Sequence, residues 1–166
     1  MRVGEITGES IKSAISLKLK SSFANTGGTP SITIYKEQIV QGFKKPSFFI
    51  WIMDVSQEKL LGNKYERLYQ MNIRYHPEGN DLKTYETLAE IGNKLLEYLR
   101  YIEVPIFLGR YDTDGNPIED TKPIKGDNLS FKITDDILQV YVNYVIKGKF
   151  KEAEKPQMQD LTINEI

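Results

Sequence analysis

Residues 42–75, GFKKPSFFIWIMDVSQEKLLGNKYERLYQMNIRY, decide the fold. Their second half alternates. Tyr65, Tyr69, Met71, Ile73 and Tyr75 lie on one side of residues 65–76, and Glu66, Gln70, Asn72, Arg74 and His76 lie on the other. Period two over this length is a β-strand with one buried face. The first half breaks that rule, because Phe48-Phe49-Ile50-Trp51-Ile52-Met53 is an unbroken run of large apolar residues. Read as a strand over 47–55, it sends Phe48, Ile50 and Ile52 one way and Phe49, Trp51 and Met53 the other. Both faces then need cover. Residues 56–64 read as the hairpin connection between the two strands.

Upstream, residues 9–23 read as a helix. Ile11, Ile15, Leu19 and Phe23 recur at spacing four with Ala14 beside them, while Lys12, Lys18 and Lys20 lie off the stripe. Asn25-Thr26-Gly27-Gly28-Thr29-Pro30 ends it, since glycine takes the left-handed exit and proline cannot continue. Residues 32–38 alternate around Ile32, Ile34 and Tyr35 as a first strand. Downstream, Pro77-Glu78-Gly79-Asn80-Asp81 breaks the alternating strand, with Asp81 placed to cap a helix. Residues 82–102 read as that helix, the longest, with an apolar face of Leu82, Tyr85, Leu88, Ala89, Leu95, Leu96, Leu99 and Ile102. A short strand over 106–111 follows Pro105, and 112–128 reads as loop or a ragged hairpin. Residues 129–134 and 137–147 are strands split by Asp135-Asp136. The last carries Leu138, Val140, Val142, Tyr144 and Ile146 on one face.

The order α-β-β-β-α-β-β, with short loops between strands, predicts an α+β fold in two layers: an antiparallel β-sheet with two helices on one face. At 166 residues one domain is expected. It covers 1–150, leaving 151–166 as a flexible C-terminal tail in which Met158, Leu161, Ile163 and Ile166 are isolated apolar points. The 22 basic and 23 acidic residues leave a net charge of -1, which supplies no long-range attraction to nucleic acid or anionic membrane. The absence of cysteine excludes disulfides and thiolate chemistry. No signal-peptide core opens the sequence, and no apolar run approaches the roughly 20 residues that span a bilayer. A soluble cytoplasmic protein is expected.

Nothing in the sequence assembles a reactive centre. His76 is the single histidine. Without cysteines it makes neither a triad nor a metal cluster, and a surface position closing a strand accounts for it. Asp112-Thr113-Asp114-Gly115-Asn116 begins like a calcium loop. Pro117 then stands where the sixth-position glycine belongs, and Pro123 where the twelfth-position glutamate belongs, so a plain turn is the reading. Thr26-Gly27-Gly28-Thr29-Pro30 lacks a phosphate-loop lysine and opens a strand. Double-stranded RNA-binding domains share the α-β-β-β-α order but need basic residues at the start of the second helix. Here that start, Asp81-Leu82-Lys83-Thr84-Tyr85-Glu86, is close to neutral, and Lys44-Lys45 is the only adjacent basic pair. No catalytic residue, metal or cofactor is expected.

Two features call for a partner. Phe49, Trp51 and Met53 lie on the helix-free side of the sheet. Either residues 112–128 or the tail folds over them, or another subunit does, since large exposed apolar patches mark interfaces. Leu60 and Leu61 sit beside Gly62-Asn63, where a loop is normally polar. The candidate interface for a neighbouring subunit or partner is therefore Phe49, Trp51, Met53, Leu60 and Leu61, with Lys44 and Lys45.

Taken with the N-terminal amphipathic helix, the segments IYKEQIVQGFKKPSFFIWIMD, LLGNKYERLYQMNIRYHPEG and DDILQVYVNYVIK resemble the tail terminator (tail completion) family of long-tailed bacteriophages and related prophages of Gram-positive bacteria. The shared pattern runs through Tyr35, Gln41-Gly42-Phe43, Pro46, Phe48, Gly62, Tyr65, Arg67, Ile73, Tyr75 and Pro77, and covers most of residues 9–147. Asp135-Asp136-Ile137 departs from it, because the family usually carries a glycine after the aspartate. The resemblance implies an α+β fold and a structural virion protein, not an enzyme. It implies a ring, usually hexameric, that caps the finished tail tube, stops polymerisation and presents a surface for head–tail joining. The implied partners are further copies of the chain, the tail tube protein and the head–tail connector or stopper, with DNA only in transit through the lumen and no membrane. The implied location is the virion tail or neck, after assembly in the host bacterial cytoplasm. Two alternatives stand beside it: another neck component such as a head-closure protein, and a small nucleic-acid-binding α-β-β-β-α module.

Overall fold

A computed structural model of the protein describes residues 3–23, 32–37, 41–79 and 84–151. Its elements are α1 (Gly8–Phe23), β1 (Thr33–Tyr35), β2 (Ser47–Leu60), β3 (Lys64–His76), α2 (Thr84–Tyr98), β4 (Tyr101–Tyr111), β5 (Pro117–Thr134) and β6 (Ile137–Lys149). The strands form one sheet in the order β1-β2-β3-β6-β5-β4. All neighbours are antiparallel except β1 and β2, which run parallel. The fold is α+β, as the sequence pattern required.

α1 begins on a reciprocal cap. Thr7 Oγ1 accepts from the Ser10 N–H (3.2 Å), and Ser10 Oγ accepts from the Thr7 N–H (3.3 Å), so two N–H groups that a helix start leaves orphaned are satisfied. The helix buries Ile11, Ala14, Ile15 and Leu19 against β2 and β4, while α2 lies on β5 and β6. Three strands separate β2 from β4 in the sheet order, yet both touch α1, so the sheet curls around the helices. The bend is made in β5. Its first half pairs with β4 and its second with β6, with an irregularity between Asp127 and Ser130. Gly126 sits at the pivot. A Cβ there would lie 2.6 Å from the Leu99 carbonyl oxygen, and the Gly126 N–H donates to the Arg100 carbonyl (2.7 Å). Only glycine allows that approach.

The core lies between helices and sheet. Phe48 and Ile50 of β2, Met71 and Ile73 of β3, and Leu138, Val140 and Val142 of β6 meet Leu88, Leu95 and Leu99 of α2 and the α1 stripe. Phe23, Phe48, Tyr75 and Tyr98 form an aromatic cluster at one end. Tyr144 is fully buried, and its hydroxyl donates to the Leu99 carbonyl (2.8 Å). Burial pushes its phenol well above the ordinary tyrosine range.

Several sequence expectations shift. α2 ends at Tyr98, not at residue 102. Its last turn closes with the Leu99 N–H on the Leu95 carbonyl, and Ile102 belongs to β4, buried there beside Val104. Ile102 satisfied a helical and a strand period at once, and strand pairing decided. Tyr85, placed on the apolar face of α2, is exposed, and Leu82 lies outside the described residues. β4 begins at Tyr101 and carries Pro105 inside it, which an edge strand tolerates because that side needs no ladder N–H. Most of 112–128 is strand rather than loop. β5 runs from Pro117, and its polar residues hid it because this end is exposed on both faces. β1 spans only three residues, with 38–40 outside the described residues. The C-terminal tail from 152 onward also lies outside them.

Candidate interaction surface

The unbroken apolar run has a local cause. Up to Ile52, β2 faces β3 in the pairs Phe48–Tyr75, Ile50–Ile73 and Ile52–Met71, all on the helix side. The register then slips between Ile52 and Asp54, and the pairs become Val55–Tyr69, Gln57–Arg67 and Lys59–Tyr65. Met53 is the extra residue of a β-bulge. A bulge moves every later side chain to the opposite face, so even-numbered residues face the helices before Met53 and odd-numbered residues after it. Ile52 and Val55 thus lie on one face although their numbers differ in parity.

Beyond the bulge and the buried Tyr69 opposite Val55, β2 and β3 run past the helices and form an arm. Residues 53–59 are exposed throughout. The turn at Leu61, Gly62 and Asn63 closes the arm, with positive φ at Gly62 (70°) and Asn63 (59°). Leu61 is 95% exposed at the tip, Leu60 half-buried, and Met53 55% exposed. The arm is stiffened from within. Arg67 donates to Gln57 Oε1 through Nε (3.0 Å) and Nη2 (2.7 Å), and to the Tyr69 hydroxyl through Nη1 (3.3 Å). Its guanidinium lies over the Tyr65 ring (4.8 Å). β6 supports the arm along β3 as far as Lys149 opposite Lys64, and Phe150 packs on Tyr65.

At Phe49 the helix-free face at the base is covered by the chain itself. Phe49 has no exposed surface. Tyr35 stacks on it (4.8 Å), and Phe43 and His76 meet it edge-on (both 5.1 Å). Its cover is therefore β1 and the 41–46 segment, not residues 112–128, which form a hairpin at the opposite edge of the sheet. Trp51 is half-buried under the Arg74 guanidinium (4.5 Å). The Arg74 Nε donates to Asn72 Oδ1 (2.9 Å), and Asn72 Nδ2 donates to the Val140 carbonyl (3.4 Å). Lys44 and Lys45 are exposed on the loop that enters β2. The Lys44 N–H donates to the Tyr35 hydroxyl (3.1 Å), and Lys45 Nζ lies 5.7 Å from the Phe43 ring.

The structure does not gather the predicted surface into one patch. Lys44, Lys45 and the enclosed Phe49 sit where β2 begins, and Leu60 and Leu61 where it ends. Between them runs a strand of 14 residues, about 45 Å at strand rise. Trp51 and Met53 fall between the two ends.

His76 does end β3, but it is buried, not a surface residue. Its ring lies against Phe43 (4.9 Å) and Phe49, and Nε2 has no hydrogen-bond partner. Burial, then the nearby Lys45 and Arg74 charges, hold its pKa below the ordinary 6.5. The Asp112 carboxylate is engaged by its own turn. Oδ1 accepts from the Asp114 N–H (2.9 Å) and the Asn116 N–H (2.8 Å), which keeps its pKa below the usual carboxylate range. Among the described residues, no group of three or more histidine, cysteine, aspartate or glutamate side chains could hold a metal ion. No helix there is long and apolar enough to cross a membrane. What the surface offers is contact: an apolar arm tip, an open strand and a polar, aromatic sheet face.

No curated protein matches the chain. One solved structure aligns over 90% of this chain and all of its own, at 13% identity and a TM-score of 0.30. The family described as phage tail terminator protein matches residues 10–157. The chain therefore belongs to the phage tail terminator family, whose members are structural components of the virion tail.

Proposed function

We propose that the protein forms a ring, hexameric by analogy with its family, that caps the phage tail tube, ends tail polymerisation and carries the surface for head–tail joining. It acts by contact and not as an enzyme. Its partners are further copies of itself, the tail tube protein and the head–tail connector, with DNA crossing the lumen only in transit. It assembles in the host bacterial cytoplasm and ends in the virion neck.

The observation that carries this reading is the arm. Residues 53–64 extend past the helices and leave Met53 and Val55 about half exposed and Leu61 almost wholly so. Burying one such side chain contributes roughly 1.5–3 kcal/mol, so a fold that leaves several exposed on a stiff projection has them available for another surface. The same arm presents no reactive group. Native mass spectrometry with and without purified tail tubes tests the ring, and the sample with tubes decides it, since tail terminators can be monomeric before assembly. A ring mass on tubes is expected. Monomers in both samples overturn the reading. Negative-stain images of tails locate the protein, and its appearance only at the head vertex would make it a head-closure component instead.

A further inference from the structure

Two surfaces of the chain are opposite in charge, and one copy cannot bring them together. The first is the arm tip, which is apolar and basic. Leu60 and Leu61 stand among Lys59, Lys64, Lys149 and Lys151, all four exposed. Lys64 pairs with Leu60 on one side and with Lys149 on the other. The Phe150 N–H donates to the Asn63 carbonyl (2.9 Å), which holds the end of β6 beside the turn. The carboxylates of the adjoining layer are Glu58 and Glu66, and Glu66 lies 3.7 Å from Lys147. The tip therefore carries more positive than negative charge.

The second is a groove of about 320 Å³ between the start of α1 and β4. Pro105 and Phe107 give it an apolar lining, Glu5, Glu9 and Glu119 supply carboxylates, and no basic side chain lines it among the described residues. From outside the lining, Lys12 Nζ donates to Glu9 (3.0 Å) and the Arg67 charge acts on Glu5, while Glu119 is exposed at the rim. Gly8, within the same α1 start, lies against Ile52 and Tyr69, so the groove sits at the foot of the arm. Leu61 is six residues beyond Val55, roughly 20 Å at strand rise. The Arg67 bonds to Gln57 and Tyr69 and the pairing with β6 keep this ladder straight. The tip is thereby held away from its own groove.

We propose that the arm tip of one copy docks in the α1–β4 groove of the next, with Leu61 seated on Pro105 and Phe107 and the tip lysines facing the groove carboxylates. The proposal rests on the ring reading above and names the surface that the arm meets. Each copy carries one tip and one groove, complementary in charge and kept apart by a stiff ladder, so a second copy supplies what the first lacks. Complementary charge fixes the register of such a contact and disfavours tip-to-tip pairing, where lysines would face lysines. A contact between two different surfaces of identical chains repeats head to tail and closes as a ring when the rotation allows.

The chain has no cysteine, which makes pairwise cross-linking clean. Lys64→Cys at the tip is combined in the full chain with Glu119→Cys or Glu9→Cys in the groove, all exposed positions. The leucines are left in place. After assembly on tail tubes, a short bifunctional thiol reagent is expected to give a ladder of covalent multiples on a denaturing gel from at least one pair. A mixture of the two single-cysteine chains is expected to give dimers only, and each single-cysteine chain alone none. The control pair Lys64→Cys with Lys94→Cys, on the exposed side of α2, is expected to give none. Adding Leu61→Ser to a reactive pair should lower the ladder severalfold, and an unchanged ladder would overturn the seating of Leu61. A cross-link within a monomer means that the arm reaches its own groove and overturns the proposal. A cross-link only to tube protein overturns it as well. No cross-link from either pair, with a ring mass still measured, removes the docking and leaves the ring reading intact. Loss of the ring mass in the unmodified protein removes both.

Discussion

The base and the arm of the β2–β3 hairpin are built from the same ladder and stabilised in different ways. At the base, helix-side residues from Phe48 to Ile50 and Met71 to Tyr75 are covered by α1, α2 and their neighbours. In the arm the ladder continues without a slip after the bulge, but the β2 side chains are exposed, those of Tyr65 to Leu68 in β3 are only half-buried, and the facing pairs include Gln57–Arg67 and the like-charged Glu58–Glu66. Like charges directly opposite weaken a strand pair. The arm is therefore held by backbone pairing to β3 and β6 and by the Arg67 clamp, while the base is held by burial. Residues of the arm contribute little to stability and are free to serve contacts, whereas residues of the base are not.

The sharpest break of that comparison is Ile73→Ala, at a position with no exposed surface. It should destabilise by about 2–5 kcal/mol in urea unfolding, and a change within error would show that the base is not where stability resides. Tyr144→Phe comes next. It leaves the buried Leu99 carbonyl without the donor it now has, and a loss of about 1–3 kcal/mol is expected. A gain is expected at the β5–β6 turn. Asp135 and Asp136 both hold positive φ, 52° and 58°, the two left-handed positions of a tight hairpin turn that favours glycine second. Asp136→Gly should stabilise by about 1 kcal/mol, read as a rise in Tm.

The base should also respond to acid. His76 has a folded pKa below its ordinary 6.5, so the unfolded chain binds more protons in the window below that value. Stability from its neutral, buried ring is complete above pH 6.5 and is lost as pH falls toward the lowered folded pKa. Melting measured between about pH 7 and 5 should show this slope, and His76→Phe should flatten it. An unchanged slope would locate the proton elsewhere. The smallest effect belongs to the arm. Leu60→Ser combined with Leu61→Ser should change stability by less than about 0.5 kcal/mol yet weaken assembly on tail tubes by native mass. If the double variant unfolds readily instead, the arm tip is core and the comparison fails.

Much of this was readable from the chain. The alternation of β3 and β6, the α1 stripe and the break at Pro77–Asp81 are local patterns, and local patterns survive folding. Where the reading missed, a distant partner decided. Residues 101–102 fit both a helix and a strand until β5 took them up. Residues 117–123 read as loop because a strand exposed on both faces has no period to show. His76 was judged by its single imidazole, and its burial depends on Phe43, which lies 33 positions earlier in the chain.

What the sequence by itself determined is the class of the fold, the buried faces of β3 and β6 and the absence of cysteine chemistry. These follow from periodicity and composition, which one chain segment carries alone. The tertiary structure decided which apolar residues remain free. Phe49 and Met53 are equally apolar in sequence, yet one is enclosed by Tyr35, Phe43 and His76 while the other is thrown outward by a bulge. Burial depends on what other segments bring to the same place, and register depends on the partner strand. Neither is a property of residues 48–53 alone.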